Sequence, residues 1–131
     1  NDDPIASVAG EIIPGHEFYD YEAKYLDESS RLIIPAELEP ETLARMQQIA
    51  VDAFRALDLA GMARVDFFLE EGTGRLLVNE VNTIPGFTSI SMYPMLWEKS
   101  GLPLEGLVKE LLRLGLERHG QRRPVRKDAE N

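Results

Sequence analysis

The sequence predicts an α+β fold in which antiparallel strands pack with helices, and three observations carry that expectation. Residues 62–82 read as two strands joined by Glu71-Gly72-Thr73-Gly74, a short glycine-containing connection. Apolar side chains recur every three or four residues through 40–60 and again through 104–118, the period of a helix. Hydrophobic residues make up 44% of the 131-residue chain and charged residues 28%, enough apolar material for a packed domain rather than a disordered chain.

Each element has its own signals. Asn1-Asp2-Asp3-Pro4 is a cluster of turn formers, and Ile5 to Ile13 after it reads as a strand. A strand that follows a hairpin turn needs a partner before the turn, so the upstream strands are expected to be missing and the chain to be the C-terminal piece of something longer. Residues 14–35 form a long polar and aromatic stretch containing Tyr19, Tyr21 and Tyr25, a length usual for a functional loop. A helix follows, with Pro40 in its first turn, Glu39 and Glu41 at the positive end of its dipole and Gly61 at its close. Leu43, Met46, Ala50, Ala53, Phe54 and Leu57 form its apolar stripe. The strands Met62–Glu70 and Arg75–Asn82 come next, then a loop rich in glycine, proline and hydroxyls over Thr83–Ser89. A short helix around Ser91–Ser100 and a longer one over Leu104–Arg118 complete the domain, which spans residues 1–119. Residues 120–131, basic and nearly devoid of apolar side chains, are expected to form a disordered tail.

Composition excludes several classes of function. The net charge of −9 opposes nucleic-acid binding, which needs clustered positive charge. No apolar run approaches the roughly 20 residues of a membrane span, and no signal-peptide pattern opens the chain. Without cysteine there is no disulfide, thiolate nucleophile or Cys-ligated zinc. An acidic cytoplasmic domain is the simplest expectation. His16 and His119 read as ordinary surface residues.

The chemistry concentrates on the hairpin. Strand side chains alternate, so Arg64, Asp66 and Phe68 share one face, and Val78, Glu80 and Asn82 share a face of the second strand. Phe67, Leu69, Leu77 and Val81 are assigned to the apolar opposite side. If the polar faces coincide, two carboxylates and an amide oxygen meet beside one guanidinium. Hard oxygen donors of this kind suit Mg²⁺, which keeps other positions for water and substrate phosphate. The alternative is a half-exposed strand whose Arg64 and Asp66 form a surface ion pair of little consequence. The loop after Asn82 favours the first reading, because such loops present backbone N–H groups to anions.

Three motifs, Phe18-Tyr19-Asp20-Tyr21-Glu22-Ala23-Lys24-Tyr25, Met62-Ala63-Arg64-Val65-Asp66 and Asn79-Glu80-Val81-Asn82-Thr83-Ile84-Pro85-Gly86-Phe87-Thr88, closely resemble those of D-alanine–D-alanine ligases. These are ATP-grasp enzymes of bacterial cell-wall synthesis. The similarity runs from about Gly10 to about Arg118. It implies the C-terminal part of an ATP-grasp domain, with Asp66, Glu80 and Asn82 as ligands of two Mg²⁺ ions (Mn²⁺ as a substitute) and Glu80 bridging them. It further implies that Lys24 contacts the transferred phosphate. Arg64 and the Gly86 N–H would stabilise the tetrahedral intermediate, and Ser91 with Met92 would receive the carboxylate of the second D-alanine. Phe68 and Asn79 fall with the nucleotide site, and residues 14–35 with a loop that closes over it. Tyr25 stands where dipeptide-forming ligases carry tyrosine, which favours an amine acceptor over D-lactate.

The resemblance also marks what is not here. The family's N-terminal domain, upstream ATP-binding lysines and serine-containing loop are absent from this sequence. The isolated chain is therefore expected to lack ligase activity, and the full-length parent to be a homodimer that takes D-alanine and ATP. A D-alanine–D-lactate ligase fragment and a non-catalytic folding or interaction module are the alternatives.

Overall fold

A computed structural model describes residues 1–15 and 30–121 of the chain. Among them are two antiparallel strand pairs and three helices: β1 (Glu11–Ile13), β2 (Arg31–Ile33), α1 (Pro40–Ala56), β3 (Arg64–Leu69), β4 (Leu76–Asn82), α2 (Met92–Lys99) and α3 (Leu104–Gln121). β1 pairs with β2 and β3 with β4, in separate two-stranded sheets. The α+β class is as the sequence predicts.

The first strand is shorter than expected. Residues 5–10 run extended but find partners other than a strand. The Val8 N–H donates to Ser100 Oγ (2.9 Å), the Ser7 carbonyl accepts from Gln47 Nε2 (2.8 Å) and the Ala9 carbonyl accepts from the Ala36 N–H (2.8 Å). The segment thus straps α1 and the residues just after β2 to the end of α2. Gly10 allows the closest approach: a Cβ there would stand 2.6 Å from Met92 Cε and 3.0 Å from Leu96 Cδ2. β2 takes Arg31–Ile33 out of the long stretch predicted as loop, because Glu11 to Ile13 need partners and Ile33 to Arg31 supply them in antiparallel register. Residues 16–29, which include Lys24 and Tyr25, lie outside the described residues, as do residues 122–131 of the expected tail.

α1 starts where Pro40 and the flanking glutamates place it, with Glu41 in the first turn. It ends at Ala56, five residues before Gly61. Asp58 takes the left-handed conformation (φ 50°) expected of Gly61. The Asp58 N–H donates to the Arg55 carbonyl (3.0 Å) and the Leu59 N–H to the Phe54 carbonyl (3.1 Å), the paired bonds of a Schellman C-cap. Leu57 is therefore left outside the apolar stripe, 56% exposed. α2 matches its predicted span, and α3 continues three residues past Arg118, carrying Gly120 within the helix.

Among the described residues, Phe54, Tyr93 and Leu107, one from each helix, form the buried hydrophobic core. Phe87 and Trp97 flank Tyr93, with ring centroids 6.2 and 6.5 Å away. Burial pushes the Tyr93 phenol above its ordinary pKa, against a smaller opposing effect from its hydrogen bond with Trp97. A groove of about 1190 Å³ opens between the strands and the helices, lined by Val65 and Phe67 of β3, Met46 and Val51 of α1, and Leu107 and Leu111 of α3. Arg64 and Asp66 border it as well. No helix among the described residues is long and apolar enough to cross a membrane.

Candidate functional site

The β3–β4 hairpin closes through a turn in which the Glu70 N–H donates to the Arg75 carbonyl (2.9 Å) and the Gly74 N–H to the Glu70 carbonyl (3.0 Å). Gly72 (φ 82°) and Gly74 (φ 68°) supply the positive φ angles this turn requires. Thr73 Oγ1 bonds the Glu70 carboxylate across the same turn. From the turn the ladder sets Leu69 opposite Leu76, Phe68 opposite Leu77 and Phe67 opposite Val78. It then skips a residue and sets Asp66 opposite Glu80, Val65 opposite Val81 and Arg64 opposite Asn82.

Asn79 is the skipped residue, the extra member of a β-bulge. Its presence corrects the facing expected from simple alternation. Directly opposed residues lie on one side of a sheet, so Val78 belongs with Phe67 on the apolar face, and Leu77 lies with Phe68 on the polar one. Glu80 and Asn82 do share a face with Asp66 and Arg64. Phe68 continues that face two residues beyond Asp66 and is 57% exposed.

On this face the charges meet. Arg64 Nε and Nη2 donate to Asp66 Oδ1 and Oδ2, both at 2.8 Å, and Arg64 Nη2 stands 3.7 Å from Glu80 Oε1. The bidentate fork fixes the Asp66 carboxylate plane, while each oxygen keeps a second lone pair. Asn82 Oδ1 accepts the Ile84 N–H at 3.1 Å, which aims the amide and starts the loop. Among the described residues there is no cluster of three or more His, Cys, Asp or Glu that could hold a metal. The donor set is instead two carboxylates and one amide oxygen, a composition that fits a hard divalent ion sharing its remaining positions with water and phosphate.

Beyond Asn82 the chain carries neutral groups. Pro85 is buried, and Gly86 presses close to α2: a Cβ on it would lie 3.0 Å from Ser91 Oγ. Ser91 is the N-cap of α2, yet its hydroxyl makes no bond to its own helix. It accepts the Thr88 N–H at 3.0 Å and shares a 2.8 Å hydrogen bond with Thr88 Oγ1. The Thr88 carbonyl in turn accepts the Ser91 N–H at 3.0 Å. Sequence reasoning gave Thr88 no role, although a hydroxyl three residues before an N-cap serine is a readable signal. The structure brings together Arg64, Asp66, Glu80 and Asn82 on the hairpin, and Gly86 with Ser91 at α2. Met92, next to Ser91, packs toward Gly10.

Comparison with known proteins gives a consistent answer. A family profile described as D-ala D-ala ligase C-terminus matches residues 1–113. A D-alanine–D-alanine ligase of Acetivibrio thermocellus is 56% identical over 119 residues, 91% of this chain and 32% of that protein. Another from Chlorobaculum parvum is 57% identical over 118 residues, again 90% of this chain and 32% of the relative. Among solved structures, the D-alanine-D-alanine ligase from Coxiella burnetii superposes with a TM-score of 0.77 at 43% identity, covering 90% of this chain and 30% of that one. The VanG D-Ala:D-Ser ligase from Enterococcus faecalis gives a TM-score of 0.71 at 39% identity, covering 82% and 31%. The chain spans about a third of the length of the curated relatives it matches.

Proposed function

This chain belongs to the D-ala D-ala ligase C-terminus family, and on that premise we propose that it supplies the C-terminal catalytic part of an ATP-dependent D-alanine–D-alanine ligase acting in the cytoplasm in peptidoglycan precursor synthesis. The observation that carries this reading is the meeting of Arg64, Asp66, Glu80 and Asn82 on one face of the hairpin. A surface ion pair needs neither the second carboxylate nor the amide. A site that holds Mg²⁺ against phosphate has a use for each of them.

Asp66, Glu80 and Asn82 would hold Mg²⁺, one ion or two, which would supply positive charge against the phosphoryl oxygens of ATP. Lys24 is assigned to the transferred phosphate, with Phe68 and Asn79 beside the nucleotide. The carboxylate of one D-alanine takes the γ-phosphoryl group of ATP with release of ADP, and the amine of a second D-alanine then attacks the acyl phosphate, losing a proton and displacing inorganic phosphate to form the amide. Arg64 and the Gly86 N–H are assigned to the negative oxygen that develops in this attack, where fixed donors act most strongly. Ser91 and Met92 are assigned to the carboxylate of the second D-alanine. Acyl phosphates hydrolyse, so the reaction requires that water be kept from the site.

Tyr25 supports an amine acceptor over D-lactate. The E. faecalis neighbour, a D-Ala:D-Ser ligase, also takes an amino acid as its second partner. Homodimerisation of the full-length enzyme is part of the same proposal.

Phosphate release with D-alanine and ATP is the test, run on the chain alone and then with the upstream part of the ligase supplied. The chain alone is expected to be silent and the assembly active, with activity lost on Asp66→Ala or Glu80→Ala. Assembly without activity would favour a non-catalytic module. D-lactate turning over better than D-alanine near neutral pH would overturn the acceptor assignment.

A further inference from the structure

We infer that Thr88 is a positioning residue that turns the Ser91 hydroxyl into an obligate donor toward the carboxylate of the second substrate. The inference rests on the reading in which Ser91 receives that carboxylate. A serine hydroxyl has one proton and two lone pairs. The Thr88 N–H, 3.0 Å from Ser91 Oγ, occupies one lone pair. The 2.8 Å contact between the two hydroxyls then has two possible directions.

If Ser91 donates to Thr88, its proton is spent within the loop and a lone pair points outward, which repels a carboxylate. If Thr88 donates to Ser91, both lone pairs are occupied and the only group left to face outward is the O–H. An anion in front of Ser91 selects the second arrangement, because a carboxylate accepts hydrogen bonds and cannot donate them. Thr88 is thus a double donor, through backbone and side chain, to one oxygen. Two backbone features allow and fix this arrangement, the first being room for the oxygen beside a residue without a side chain. Gly86 sits so close that a Cβ would lie 3.0 Å from Ser91 Oγ. The Ser91 N–H bond back to the Thr88 carbonyl at 3.0 Å fixes the two residues against each other. Since Ser91 Oγ accepts no bond from the N–H groups of α2, neither of its lone pairs is diverted into capping the helix and both stay available to Thr88.

The test is steady-state kinetics on the complete ligase that carries this sequence, with the two D-alanine sites resolved. Thr88→Val keeps the backbone N–H and the side-chain shape but removes the hydroxyl. It is expected to raise KM for the second D-alanine about 10-fold, with KM for the first and kcat changed far less. Thr88→Ser is expected to restore the wild-type value within about 2-fold. The Thr88→Val/Ser91→Ala double variant is expected to be no worse than Ser91→Ala alone, because Thr88 acts through Ser91. Should valine prevent folding, Thr88→Ala removes the same hydroxyl with less bulk. An unchanged second KM in the Thr88 variants, while Ser91→Ala raises it, would overturn the inference and leave the assignment of Ser91 standing. Additive effects, or failure of serine to rescue, would also overturn it. If Ser91→Ala itself leaves the second KM unchanged, the assignment of Ser91 fails and this inference with it.

Discussion

Among the described residues, one arginine stands between two carboxylates on the hairpin and another on α3, and the two groups do different things with the same chemistry. On the hairpin, Arg64 forks onto Asp66 at 2.8 Å and approaches Glu80 at 3.7 Å. On α3, Arg113 bonds Glu110 at 2.6 Å and Glu117 at 2.8 Å. The α3 trio is produced by helix periodicity alone, through contacts at i,i+3 and i,i+4. Arg113 is 56% exposed, so water and salt screen the trio and it contributes little to stability. The hairpin trio joins two strands, its arginine is only 25% exposed, and Asn82 and the backbone-rich loop that follows stand beside it. Charge pairs by themselves therefore say little. What distinguishes a candidate site is that its charges come from separate strands and face groups able to bind a phosphate or carboxylate.

Removing the two arginines breaks this comparison most sharply. Arg64→Met in the complete ligase is expected to lower kcat by about 100- to 1000-fold, the range for losing a fixed donor to a developing oxyanion. The melting temperature should also fall, because Asp66 and Glu80 are left opposed without the guanidinium, so turnover is compared at a temperature where the variant is folded. Arg113→Met is expected to leave turnover within about 2-fold, as for surface substitutions generally. Equal losses from the two variants would show that placement on the hairpin gives Arg64 no special role.

A second experiment leaves both trios intact and disturbs the close approach of Gly10 to α2. Gly10→Val would drive a side chain into Met92 and Leu96, where even a Cβ stands 2.6 and 3.0 Å from the nearest atoms. A destabilisation of about 1–3 kcal/mol is expected, read from thermal or urea unfolding. Because Met92 follows Ser91, KM for the second D-alanine should rise more than KM for ATP. A stable variant with unchanged kinetics would mean that Met92 yields freely and that α2 does not depend on this close approach.

The hairpin is legible in the sequence because a period of two is easily read and because Gly72 and Gly74 mark its turn. Counting alternate positions puts Arg64 with Asp66 and Glu80 with Asn82, and the pairing of the strands brings the two sets together. The bulge at Asn79 is not legible, since an extra residue leaves no fixed residue signature. Only the successive apolar residues Leu76, Leu77 and Val78 hint that alternation fails there. The end of α1 differs from its expected place for a related reason. Asp58 adopts a left-handed φ that glycine adopts far more readily, so Gly61 is the better candidate by residue type. Residues 5–10 have the composition of a strand, but their hydrogen bonds go to Ser100 and Gln47, contacts that no local pattern encodes. Thr88 lies inside a recognised motif without a role, because its significance lies in two bonds to a single oxygen.

The α3 trio gives the smallest expected effect, and its sign follows from the pKa shifts. The Asn1 amide and then Arg113 hold the Glu117 carboxyl below its ordinary value, and Arg113 does the same to Glu110. Hydrogen bonds to both carboxylates raise the Arg113 guanidinium. A carboxyl whose pKa is lower in the folded state contributes stability above its unfolded pKa and loses it as pH falls through the folded value. Glu117→Gln should therefore lower the melting temperature slightly at about pH 7, and the difference from wild type should shrink as the pH falls below the ordinary carboxylate range and the wild-type Glu117 becomes protonated. Raising the salt concentration at neutral pH should reduce the same difference, because these side chains are exposed. A difference that persists unchanged through acid and salt would mean that Glu117 acts through the Asn1 contact as a neutral hydrogen-bond acceptor, a role the glutamine oxygen could fill only in part.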